Sequence, residues 1–247
     1  MEAIYPDINQ DSRQELVLPV KRIQTEGSSY LSDEEPSAAE KAYWKIREKI
    51  INLDFPPGSV IRDTDLSDLL GYGRTPIREA IKRLEVESLV VSHHRKGTFV
   101  NEITLVDIRR QYQIRRQLQT LAVALASHSS EKGLIHLDRK VRKLISNARI
   151  YSLETSIEKN AELDLEFARL SGNPYLLRTT QQYCGYNRRT WHLLAGELTA
   201  DDLMLTDYIN ITAWAIKGNE EESSRLMALH VDAVHLKTVD RFLEKFI

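Results

Sequence analysis

Cysteine occurs once in the 247 residues, at Cys184, so no disulfide can close within the chain. A lone thiol suits a reducing compartment, and the expected location is the cytoplasm. No run of about 18 apolar residues is present, which excludes a membrane-spanning helix. The segment from Met1 to Gln14 has neither a basic start nor an apolar core, and does not read as a secretory signal. Glycine (10) and proline (7) are scarce and clustered, which favours long helices over many short strands. The formal net charge is -2, so any nucleic-acid site must arise from local placement of charge. Walker loops, paired cysteine ligands, HExxH and nucleophile elbows are missing as well, and no enzyme is indicated.

What is present is a soluble composition, 42% hydrophobic and 28% charged, in a chain long enough for two domains. Residues 1–36 are polar and acidic and read as a flexible tail, or as an arm that docks elsewhere. Residues 37–102 form a first unit. A helix starting near Ser37 carries an apolar stripe of Trp44, Ile46, Ile50, Ile51 and Leu53, and must stop before Pro56-Pro57-Gly58. A short helix, Thr64 to Leu70, is capped by Thr64 or Asp63. Gly71-Tyr72-Gly73 turns the chain into a second helix with Pro76 in its first turn. Ile77, Ala80, Ile81 and Leu84 mark the core face of that helix. Two short strands follow, joined at Arg95-Lys96-Gly97.

This order is that of a winged helix-turn-helix. Arg74 and Arg78 lie one helical turn apart and share a face. An arginine fork there can bond guanine O6 and N7 in the major groove. Thr75 and the helix-start amides suit a phosphate. Arg95, Lys96 and Gly97 at the hairpin tip suit the minor groove or the phosphate backbone, glycine allowing close approach.

Residues 103–247 are helical in period, with helices expected at about 105–128, 132–150, 153–170, 174–196, 200–217 and 219–246. Thr104 and Asp107 have the chemistry of a helix start. Breaks fall at Gly133, Ser171-Gly172-Asn173-Pro174, Gly196 and Gly218-Asn219. The fold class is therefore mainly α: an N-terminal winged helix-turn-helix plus a C-terminal antiparallel all-helical bundle.

The first unit resembles the DNA-binding domain of the GntR family of bacterial transcription regulators. The resemblance is carried by Phe55 to Ile61, by Gly73-Arg74-Thr75-Pro76-Ile77-Arg78-Glu79-Ala80, and by Arg83-Leu84-Glu85 with Leu89-Val90. Gly73 stands where the family usually has a serine or threonine, and Thr64 where some members carry an arginine. The helical remainder resembles the family's FadR-type effector domain through Asp107, Tyr112, Arg115, the Ser171 to Pro174 turn, Met227 and His230. Such domains often hold a divalent metal with one aspartate and three histidines. An ungapped alignment puts Asn160, Asp164, Tyr208 and His230 at those places; a gapped one keeps Asp164 as the aspartate but places Ala168 at a histidine position. Only Asp164 and His230 remain suitable ligands, so no cofactor is expected and a divalent metal is disfavoured.

The resemblance then implies an effector pocket of Arg115, Asn160, Asp164, Tyr208 and His230 for a small polar compound such as an organic acid. It implies a homodimer on an inverted-repeat operator in double-stranded DNA, acting as a ligand-responsive repressor. Two rivals stand beside this: a constitutive DNA-binding regulator with a decayed pocket, and a helical metal-handling protein or enzyme. Single residues also have plainer readings. His230 can be an ordinary core histidine, Tyr208 packing, and Asp164 the partner of an arginine such as Arg169. Trp191-His192 can be a bundle face, and Asn187-Arg188-Arg189 its solvated edge.

Overall fold

The computed structural model describes residues 35–147 and 151–246. The tail reading for 1–36 thus falls, but for its last two residues, outside the described part, as do positions 148–150 of the expected helix 132–150.

Helix α1 (Ala38–Ile51) starts at Ser37, whose hydroxyl accepts from the Glu40 amide at 3.1 Å. Its buried face is Ala42, Tyr43, Ile46, Ile50 and Ile51, with Trp44 on the flank. Strand β1 (Val60–Ile61), helix α2 (Asp63–Leu70), helix α3 (Arg74–Val86) and strands β2 (Val90–His93) and β3 (Gly97–Val100) follow. The sheet is antiparallel with β3 central, Val60 facing Phe99 and Val90 facing Val100. β1 was not anticipated, because two residues are too few to show alternation. The start of α2 also differs from expectation. Its N-cap is Arg62, with no side-chain bond, and Asp63 is already helical. The Asp63 carboxylate is instead engaged by Arg78, and the Thr64 hydroxyl by Asp65. Ile77, Ala80, Ile81 and Leu84 bury the inner face of α3. Burying each large aliphatic side chain contributes roughly 1.5–3 kcal/mol.

Thr104 and Asp107 form a reciprocal capping box that starts α4 (Leu105–Ala126). The bundle continues with α5 (Glu131–Asn147), α6 (Leu153–Leu170), α7 (Pro174–Leu193), α8 (Asp207–Ile216) and α9 (Glu220–Phe246). Helix α4 packs against α9, α6 and α7, and α8 against α9 and α5. Asn173 caps α7, its side-chain oxygen accepting from the Tyr175 and Leu176 amides at 3.0 and 3.1 Å.

The expected helix 200–217 is broken in two. The Thr199 amide and hydroxyl both donate to Asp202 Oδ2 and close a single 3-10 turn, Ala200–Leu203, which ends at Met204 with φ of 49°. A left-handed residue cannot continue a helix, so α8 starts afresh at Asp207. Helix α7 stops at Leu193 rather than at Gly196. Gly133 is not a break but lies in the first turn of α5, where a Cβ would meet Leu170 at 2.6 Å.

The stretch Asn187-Arg188-Arg189 is a junction between the two units, not a solvated edge. Arg188 donates to Glu48 at 3.0 Å, to Asn52 at 3.1 Å and, within the bundle, to Glu158 at 2.7 Å. Arg189 donates to the Asn101 carbonyl, and the Tyr186 hydroxyl to the Glu87 carbonyl at 2.6 Å. From the other side, buried Arg47 of α1 reaches Glu87 at 3.3 Å and the Gln182 carbonyl at 3.1 Å.

Candidate DNA interface and buried polar cluster

The outer face of α3 carries Arg74, Arg78 and Lys82 at successive helical turns, all exposed. Arg83 is not in that row; its guanidinium lies 3.7 Å from the centre of the Tyr43 ring. Gly73 caps the helix without a side chain, so the Arg74 and Thr75 amides keep no intrahelical partner and face outward. Arg78 is braced: its Nε donates to Asp63 Oδ2 at 2.7 Å. That leaves its two terminal nitrogens for a bidentate acceptor. The hairpin tip holds Arg95, Lys96 and Gly97, all exposed, with φ of 62° at Arg95 and 103° at Gly97. The positive φ at the tip favours glycine there. Helix row and wing thus present cations and free amides, chemistry suited to phosphates and base edges.

The second constellation lies inside the bundle. Arg115, Asn160, Asp164, Tyr208 and His230 are all buried, at most 3% exposed. Arg115 donates to Asp164 Oδ2 at 3.1 Å, and Tyr208 donates to Oδ1 at 2.5 Å. Asp164 therefore pairs with Arg115; Arg169 pairs with Glu166 instead. The His230 ring meets the Tyr208 ring edge-on at 4.8 Å, and its Nδ1 lies 3.1 Å from Asp207. Asn160 sits one turn before Asp164 on α6, both of its amide atoms unpartnered. Gln119, which the sequence reading missed, also donates to Asp164. The available signal was its position four residues after Arg115, on the same face of α4.

Burial and the Asp164 charge push the Tyr208 phenol well above its ordinary value. Burial disfavours the Arg115 charge, but Asp164, Tyr112, Tyr208 and Cys184 together outweigh it and hold the guanidinium above its usual range. Burial, with Asp164, also raises the Cys184 thiol, so it is an unreactive core group. Unpartnered atoms gather around this pair: Arg115 Nε and Nη1, Gln119 Oε1, both Asn160 atoms and His230 Nε2. Orphaned buried polar atoms call for an explanation, and a bound polar molecule is one.

The donor set does not fit the divalent metal that the fold implies. The Asp164 carboxylate is taken by three internal donors, one of them a cation. Asn160 and Tyr208 are poor ligands beside histidine. Among the described residues no three His, Cys, Asp or Glu side chains converge.

A winged helix with a basic recognition row, joined to a helical bundle, defines a DNA-binding regulator with a separate control domain. Residues 38–100 match the family model described as bacterial regulatory proteins, gntR family, and residues 110–233 match that of the FCD domain. The chain belongs to the GntR family and is a DNA-binding transcription regulator. It is 28% identical to an uncharacterized HTH-type transcriptional regulator, YdhC, of Bacillus subtilis, over 80% of this chain and 90% of the relative. It is 24% identical to the Nta operon transcriptional regulator of Aminobacter aminovorans, over 78% and 89% of the two chains. The solved structure of E. coli McbR/YncC superposes with a TM-score of 0.72 at 20% identity, covering 85% of this chain and 100% of that one.

Proposed function

We propose that residues 37–102 act as the reading head and residues 103–247 as an effector-binding and dimerisation domain of a cytoplasmic, ligand-responsive repressor. Arg74, Thr75, Arg78, Arg95, Lys96 and Gly97 contact an inverted-repeat operator, one half-site for each subunit of a homodimer. Arg115, Asn160, Asp164, Tyr208 and His230, with Gln119, receive a small polar effector such as an organic acid. The observation that carries this reading is the group of orphaned polar atoms around the Arg115–Asp164 pair. An effector shifts DNA affinity only by its preference for one arrangement of the two heads. Helix α7 gives it a route, since Cys184 feels the charges of Asp164 and Arg115 while the adjacent Gly185 carries Arg47 of the head.

A second reading, a constitutive regulator with a closed pocket, draws support from Asp164, whose carboxylate is already taken by three donors. A thermal-shift screen with small organic acids and divalent metals, followed by operator titration, separates the two. The effector reading expects at least one acid to raise Tm and change operator affinity, and Asn160→Leu to abolish both effects. Silence toward every compound, with operator affinity unchanged, supports the constitutive reading.

A further inference from the structure

A groove of about 620 Å³ lies where the reading head, the linker and the bundle meet. Glu87 ends its wall on the head side, Asn101 and Ile103 come from the linker, and Gln111, Tyr183 and Arg189 from the bundle. Arg189 is 5% exposed. One terminal nitrogen donates to the Asn101 carbonyl, and its Nε has no partner. Among the described residues no carboxylate forms an ion pair with it, although three line the groove. Glu87 is engaged by Tyr43 and Arg47, Asp107 by Thr104, and the Glu102 carboxylate rests against Gly58. Burial lowers the Arg189 guanidinium to about 10, with Glu102 and Asp107 opposing only in part. A buried cation without an ion pair is costly unless something pairs with it.

We propose that this groove is a second ligand site, separate from the buried cluster, and that it takes an organic monocarboxylate with an aromatic or apolar body. The planar fork of Arg189 matches a carboxylate. Tyr183, Tyr186 and Ile103 supply apolar wall for the body. The volume falls within the roughly 300–1,000 Å³ usual for small-molecule sites. Three carboxylates beside the two guanidiniums of Arg110 and Arg189 repel a dianion such as phosphate about twice as strongly as a monocarboxylate, whose single charge Arg189 can match.

Calorimetric titration of the full chain with benzoate, and separately with inorganic phosphate, tests this. Benzoate should bind, and Arg189→Gln should weaken it at least tenfold. Gln111→Trp, which fills the groove from a half-buried position on its rim and leaves Arg189 in place, should weaken it equally, with circular dichroism reporting the fold of each variant. If Arg189→Gln does not fold, Gln111→Trp alone decides. Failure of wild type to bind benzoate, or wild-type affinity in Gln111→Trp, overturns the site. Tighter binding of phosphate than of benzoate overturns the ligand class.

Discussion

Arg78 shows how one side chain can be prepared before its target arrives. Its side chain is 66% exposed, so the ion pair with Asp63 adds little stability, on the order of 0–1 kcal/mol. The pair matters for placement: with Nε held at 2.7 Å, it fixes the guanidinium while leaving the two terminal nitrogens out of the bond. Arg74, one turn earlier, has no such brace among the described residues, so in the proposed contact it carries the full cost of ordering its side chain. Replacing either arginine by alanine should cost about 1–3 kcal/mol of specific operator binding, with the far-ultraviolet spectrum unchanged. Asp63→Ala should cost less than Arg78→Ala, because the contact survives and only its preparation is lost. Fluorescence anisotropy against operator and scrambled duplexes reads all three. Wild-type affinity in both arginine variants would remove α3 as the reading element.

Between elements, the decisive contact is the seat of Arg47 on Gly185. A Cβ at position 185 would clash with Arg47 Nη2 and lie 2.9 Å from Cζ, so the guanidinium in its present place needs glycine there. Gly185→Ala should expel it and break its bonds to Glu87 and the Gln182 carbonyl. Hydrogen bonds to charged groups are worth about 1.5–3 kcal/mol each. At about 2–4 °C per kcal/mol for a chain of this size, the Tm should fall by several degrees. The double variant Arg47→Ala/Gly185→Ala should be no less stable than Arg47→Ala, since the clash disappears with the side chain. Additive losses in calorimetry would show that the two residues act independently. This contact also marks where sequence reading stopped. The periodic core faces of α1 and α3, the capping box at Thr104 and the helix break at Ser171 to Pro174 were legible because they rest on neighbours within a few residues. The Arg47 seat joins residues far apart in the chain, so no local pattern carries it. The same holds for Arg188 and Arg189, which resembled solvent-facing cations, and for Gln119, whose partner Asp164 is on another helix. The 3-10 turn at Ala200 was hidden for a different reason: its residues keep helical spacing while Met204 turns left-handed.

At the scale of the whole molecule, the bundle carries large apolar side chains on its outer surface. Ile114 and Leu121 on α4 are 44% and 47% exposed, and Leu229 and Leu236 on α9 are 52% and 64% exposed. Each pair is seven residues apart, so each forms a stripe along its helix, and the two helices pack together. Asp232 shares the Leu229 and Leu236 face of α9 and bonds at 2.8 Å to Arg116, which leaves α4 on the flank opposite Ile114 and Leu121; both ends of the pair stay at the surface. Exposed apolar stripes on paired helices beside a bridging ion pair fit a two-fold contact with a second copy, in which each stripe meets its own equivalent. A reading head that recognises a few base pairs gains useful affinity only when a rigid partner delivers the second half-site at a fixed spacing. The double variant Leu121→Glu/Leu236→Glu places four like charges in that contact and should convert a dimer to a folded monomer in sedimentation. Its affinity for a full inverted repeat should then fall at least tenfold, while its affinity for a single half-site should stay near wild type. A wild-type monomer, or a double variant that still sediments as a dimer, would move the dimer contact away from α4 and α9.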